Sequence, residues 1–140
     1  MTTTLPPRNE VPLDQTWDLS SIFLTPADWE AACQQLLAAL PSITAYQGKL
    51  SSSPHTLLEF INLYQETATL MGKIGVYANN AYAVDTLDQA CAARAGQARG
   101  LMARFSAAAS FLDPELMQIS FATLRQWLQD EPGLAFFAFY

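Results

Sequence analysis

Residues 53–85 read SPHTLLEFINLYQETATLMGKIGVYANNAYAVD, and this stretch decides the fold. Leu57, Ile61, Tyr64, Ala68, Met71, Gly75, Ala78 and Tyr82 follow one another in alternating steps of four and three, the spacing of a helical seam. A second seam lies beside it: Phe60, Leu63, Thr67, Leu70, Ile74, Tyr77, Ala81 and Val84. The positions between are mostly polar, among them Glu59, Asn62, Glu66, Lys73 and Asn80. A helix with one apolar stripe can lie on a surface. One with two adjacent stripes needs partners on two sides, so the stretch predicts a long helix inside an antiparallel all-α bundle.

Working outward, Asp85 ends this helix and can cap the next, with Asp88 three residues on favouring the same N-terminus. A third helix follows over about Leu87 to Ser110, with the seam Leu87, Cys91, Ala95, Ala98, Met102, Phe105 and Ala109. So short a connection makes the pair an αα-hairpin. On the N-terminal side, Thr25, Pro26 and Asp28 open a first helix, with Trp29, Ala32, Cys33, Leu36, Leu37 and Leu40 on its apolar face. Pro41 should bend it before it reaches about Gln47, with Gly48 as its stop. Residues 1–24 read as an extended arm and a strap laid over the bundle, anchored by Trp17 and Phe23; the bundle itself takes residues 25–140. Asp113-Pro114-Glu115 begins a short helix, and a last helix covers Phe121 to Gln129 with Phe121, Leu124, Trp127 and Leu128 inward. Pro132-Gly133 opens one more element, an aromatic run to Tyr140 that is expected to be part of a helix of a longer protein.

Composition narrows the function classes. The 140 residues suit one domain. They are 51% hydrophobic and only 14% charged, against roughly 25% charged in ordinary soluble domains, which suggests apolar surface that meets another part of a larger protein. Net charge is −6 with seven scattered basic residues, a poor match for nucleic acid. No apolar run approaches the ~20 residues needed to span a bilayer, and no secretory leader is visible, so a cytoplasmic location is expected. Cys33 and Cys91 lie on apolar helical faces and read as buried free thiols.

Residues that could carry chemistry are few. His55, in a helical first turn, is the one histidine, so a His-Glu-x-x-His zinc motif cannot be assembled, and a Ser-His-Asp or Cys-His site would have to recruit His55, with neither Cys33 nor Cys91 in a recognisable nucleophile motif. Gly72 and Gly75 lie inside a helix, where close helix packing is expected of them rather than a phosphate loop. The best polar cluster is Tyr77, Asn79, Asn80, Tyr82 and Asp85, which reads either as a ligand or domain contact or as a helix exit with ordinary caps. Arg94, Arg99 and Arg104 turn about 140° per step and fan around their helix, so they are expected to pair with local carboxylates. No catalytic, cofactor-binding or metal-binding residue is assigned.

Arg8-Asn9-Glu10-Val11-Pro12, then Thr16-Trp17-Asp18-Leu19-Ser20 and Ile22-Phe23, resembles the opening of oligoendopeptidase F, a family of bacterial zinc endopeptidases related to thimet oligopeptidase. The likeness continues through Tyr77-Ala78, Tyr82 and Asp85-Thr86, through Phe111-Leu112-Asp113-Pro114-Glu115-Leu116, and through Pro132-Gly133-Leu134 to Tyr140. Leu87-Asp88 departs from the Asn-Pro or Asp-Pro expected there. The resemblance implies the N-terminal domain of a cytoplasmic enzyme that hydrolyses short peptides with one zinc ion. The zinc ligands of that family would lie outside this chain, and none is expected here. The partners implied are the C-terminal catalytic domain of the same protein and, for the parent, short peptides. The rival reading is a stand-alone helical interaction module presenting an apolar groove. Self-association through Phe136, Phe137 and Phe139 is expected under either.

Overall fold

The computed structural model describes Pro6 and residues 10–137. Five α-helices carry the fold: α1 Pro26–Thr44, α2 Pro54–Val84, α3 Gln89–Ala108, α4 Leu112–Leu116 and α5 Phe121–Asp130. Three 3₁₀ turns, Leu13–Gln15, Leu19–Ser21 and Pro132–Phe137, flank them, and no strand occurs among the described residues. The all-α expectation therefore holds. The expected arm over residues 1–13 lies largely outside the described residues, as do Phe139 and Tyr140.

The helix starts follow from their caps. The Thr25 hydroxyl accepts the Asp28 N–H at 3.2 Å while the Asp28 carboxylate accepts the Thr25 N–H at 2.9 Å, a reciprocal capping box ahead of Pro26. Ser53 caps α2 by accepting the Thr56 N–H at 3.1 Å, and Ser120 caps α5 by accepting the Thr123 N–H at 3.1 Å. The cap of α3 is Asp88, whose Oδ1 accepts the Ala90 and Cys91 N–H groups. The Cys91 N–H leads the causes that lower the Asp88 pKa. Asp85 instead closes the turn between the helices, its Oδ1 accepting the Leu87 N–H at 3.1 Å. The third helix thus starts two residues later than its seam suggests, and Leu87 is 86% exposed.

Pro41 sits within α1 and supplies no N–H to the Leu37 carbonyl, yet the helix runs on to Thr44. Tighter bonds from the Tyr46 N–H to the Ile43 carbonyl and the Gln47 N–H to the Thr44 carbonyl then unwind it, and Gly48 turns the chain with φ +78°.

α2 spans roughly 45 Å and touches both hydrophobic clusters. Its C-terminal half supplies Met71, Ile74, Tyr77 and Ala78 to a cluster shared with Trp29, Cys33 and Leu36 of α1 and Ala98, Leu101 and Phe105 of α3. Its N-terminal half supplies Leu57 and Phe60 to a second cluster with Ile43, Leu50, Phe111 and Leu134. Because the start of α1 meets the end of α2, and Phe105 and Phe111 meet its first half, α1 and α3 both run antiparallel to α2. Both predicted stripes of α2 meet partners for this reason, except at the exposed Val84. Tyr64 joins the clusters, with ring centroids 5.9 Å from Phe60 and 5.3 Å from Phe105. The Trp29 indole N–H donates to the Ile74 carbonyl at 3.1 Å in the buried seam between α1 and α2.

Several expected contacts differ. In α3, Leu101 is buried and Met102 is 46% exposed, one position from the predicted seam. The strap holds through Leu19, Ile22 and Phe23, which pack on the first cluster, whereas Trp17 is 72% exposed. Phe121 is 75% exposed, leaving Leu124, Trp127 and Leu128 as the inward face of α5. Gly72 and Gly75 are not close-packing sites: a Cβ at Gly72 would meet nothing within 4 Å, and at Gly75 only the end of Met71. The glycine that is close-packed is Gly133, where a Cβ would come within 2.6 Å of Leu58.

Candidate functional site

A groove of about 840 Å³ lies between the first half of α2 and the C-terminal elements. Leu57, Ile61 and Tyr64 form its α2 wall. Leu116 of α4, with Leu124 and Leu128 of α5, form the facing wall. Its floor is closed by Leu134, which is buried where the Pro132–Phe137 turn folds back on α2. Gln65, Asp113 and Arg125 supply the polar groups at its edge. The Arg125 guanidinium lies 5.4 Å above the Phe121 ring, a cation–π contact at the lip.

The far wall of the groove is positioned by one carboxylate. Glu115 of α4 accepts the Gly48 N–H at 2.5 Å and the Leu50 N–H at 3.2 Å, tying α4 to the turn that follows α1. These groups are more than 60 residues apart in sequence. The bonds satisfy backbone donors that the unwound end of α1 leaves free.

The residues singled out in the sequence do not converge. Tyr77 is a core residue, its ring 5.5 Å edge-on from Phe23 and 6.4 Å from Trp29. Asn79 is exposed, Asn80 and Tyr82 are half-buried, and Asp85 is engaged in the turn to Leu87. This end of α2 is a capped helix exit. His55 is 71% exposed and faces Glu59 at 3.4 Å and Glu131 at 3.6 Å. Among the described residues no three His, Cys, Asp or Glu side chains lie close enough together to hold a metal ion.

Cys33 and Cys91 are free and buried. Burial, with a smaller effect of Glu30, pushes the Cys33 thiol up to about 11. Burial also raises the Cys91 thiol, against the lowering effect of Arg94, whose Nη2 donates to the Cys91 sulfur at 3.3 Å. Raised thiols are poor nucleophiles, so neither cysteine is poised for covalent chemistry. Arg94 was expected to pair with a carboxylate; its partner is this sulfur, and its Nε is buried without a hydrogen bond.

What the described residues offer is therefore an apolar recessed surface on a helical scaffold, with no reactive group assembled among them. The groove was not legible as a site, because Leu112, Leu116 and Arg125 come from segments too short to show a periodic signal. The available clue was the excess of apolar residues over charged ones.

A helical scaffold of this kind also occurs within a larger chain of known structure. The crystal structure of a proposed peptidase from Chlamydophila abortus superposes with a TM-score of 0.81 at 24% identity, covering 94% of this chain and 22% of that one. In sequence, the chain is similar to bacterial oligopeptidases. It is 29% identical over 127 residues to the group B oligopeptidase PepB of Streptococcus agalactiae, covering 91% of this chain and 21% of the relative. It is 26% identical over 134 residues to the oligopeptidase PepF of Bacillus subtilis, covering 96% and 20%. A plasmid oligoendopeptidase F of Lactococcus lactis subsp. cremoris is 29% identical over 122 residues, covering 86% and 20%. No protein-family model matches the chain. The resemblance to oligoendopeptidase F thus extends over nearly the whole chain, which spans about a fifth of the length of the curated relatives it matches.

Proposed function

We propose that this chain is the N-terminal helical domain of an oligoendopeptidase F-like zinc metalloendopeptidase of the cytoplasm, one that hydrolyses short oligopeptides. In this reading residues 25–140 are a scaffold that forms part of the wall around the substrate cleft, and residues 1–24 strap across it. The observation that carries it is similarity over 86–96% of this chain to proteins of which it makes up only about a fifth. The helical bundle with an open apolar groove suits a wall whose contribution is shape. In this reading zinc is held elsewhere in the parent, as the resemblance to oligoendopeptidase F implies, and no step of the reaction is assigned to these side chains.

The test is recovery of the complete reading frame and assay of its product. A downstream His-Glu-x-x-His, stoichiometric zinc and cleavage of short peptides by the full-length protein are expected, with neither zinc nor turnover from the 140-residue chain alone. A frame that encodes no such motif overturns the proposal and leaves the stand-alone interaction module. Zinc binding or peptide turnover by the isolated chain also overturns it.

A further inference from the structure

We propose that the groove between α2 and α4–α5 is the docking surface for the downstream part of the same polypeptide, filled by the apolar face of one of its segments. This rests on the reading above, that the chain is one domain of a longer peptidase. Three observations lead to it. First, the groove is built for burial. Its two walls are leucine, isoleucine and tyrosine side chains, and its polar groups, Gln65, Asp113 and Arg125, sit among that apolar lining with no cysteine or histidine. Recognition there must come from excluded water.

Second, the elements around the groove leave large apolar side chains exposed. Met117, Phe121 and Phe136 are 86%, 75% and 79% exposed, while Leu116, Leu124 and Leu134 of the same elements face inward. A short helix on the surface of a free-standing bundle has one apolar stripe. Phe121 itself lines the groove, so exposed apolar surface continues from the lining onto these elements and marks a face that something packs against. The exposed side of α3 is different, being largely Ala, Gln, Arg, Gly and Ser, with Met102 as its large apolar side chain.

Third, the relatives supply the occupant. Four-fifths of their length lies outside the region this chain matches, and that polypeptide must pack against the domain somewhere. The groove is an apolar recess it could use, and Leu134 and Phe137, in the last described turn, already form part of it.

Cysteine protection tests this in the full-length protein. Gln65 and Arg125 are exposed at the groove and can each be replaced, Gln65→Cys or Arg125→Cys, in a background of Cys33→Ala and Cys91→Ala. Met102→Cys, on the exposed side of α3, serves as the comparison site. Maleimide labelling rates are measured for each site in the full-length protein and in the 140-residue chain, both checked for helix content by circular dichroism. The expected result is labelling at Gln65→Cys and Arg125→Cys at least tenfold slower in the full-length protein, with Met102→Cys changed less than twofold. Equal rates at the groove in a full-length protein that still cleaves peptides overturn the docking surface while leaving the peptidase reading intact. Protection that appears in the 140-residue chain and grows with its own concentration also overturns it, because a second copy then fills the groove. A frame without a downstream peptidase overturns both.

Discussion

Replacing Phe60 with alanine should remove the centre of the second hydrophobic cluster. Phe60 is fully buried, and its ring centroid lies 5.4 Å from Phe111, 5.6 Å from Tyr46 and 5.9 Å from Tyr64. Those three rings come from the α3–α4 junction, the end of α1 and the next turn of α2, so they cannot collapse into the space together. Phe→Ala at such a site costs about 3–5 kcal/mol, from lost transfer energy plus the cavity left behind. An unfolding entropy of about 2.1 cal/mol/K per residue over 140 residues gives about 0.3 kcal/mol/K, so Tm should fall by about 10–17 °C. Thermal and urea melts followed by far-UV circular dichroism measure this directly. Phe121→Ala is the control: its ring is 75% exposed, and its loss should change stability by no more than about 0.5 kcal/mol. A Phe60→Ala protein melting within about 3 °C of the parent would refute the claim that this ring holds α1, α2 and α4 together.

Cys33 should make the fold sensitive to alkali: its thiol titrates near 9.0 unfolded and near 11 folded, so the unfolded chain ionises first. Stability is then intact below about pH 9 and falls by about 2–3 kcal/mol as pH rises to 11; urea melts of Cys33→Ala across that range should show a shallower decline. Glu115→Gln leaves a single acceptor oxygen for the Gly48 and Leu50 N–H groups and should cost about 1–2 kcal/mol, with amide hydrogen exchange at those two residues rising more than in α3. The glycines should split by sign under the same melts. Gly72→Ala, in open space on α2, should stabilise by about 0.5–1 kcal/mol, whereas Gly48→Ala, at φ +78°, should destabilise by about 1–2 kcal/mol.

The resemblance to oligoendopeptidase F came from short segments spread along the chain, such as Thr16-Trp17-Asp18-Leu19-Ser20 and Phe111-Leu112-Asp113-Pro114-Glu115. Relatives matched over 86–96% of the chain bear it out. The local chemistry of those segments proved equally readable: Asp18 accepts the Ser20 N–H at 3.0 Å to close the strap turn, and the helix at Asp113-Pro114 forms where its sequence begins it. The candidate site was not readable in the same way. Its polar-cluster residues at the end of α2 are dispersed into core and cap roles, and its groove is assembled from α2, α4 and α5.

What the sequence determined by itself is whatever depends on neighbours within one or two turns. Thr25, Ser53 and Ser120 place the helix starts because a cap bonds only two or three residues ahead. The two stripes of α2 fix that it is sandwiched, because a 31-residue periodic pattern averages out local noise. Tertiary structure decided the rest where the local signal was flat. In alanine-rich α3 the choice between Leu101 and Met102 rests on which side chain meets α1 and α2. Trp17 and Phe121 are large and apolar, yet both stay mostly exposed in the fold the described residues make. Glu115 gains its role only when α4 is brought to the turn at Gly48, a contact made across the fold and invisible along the chain.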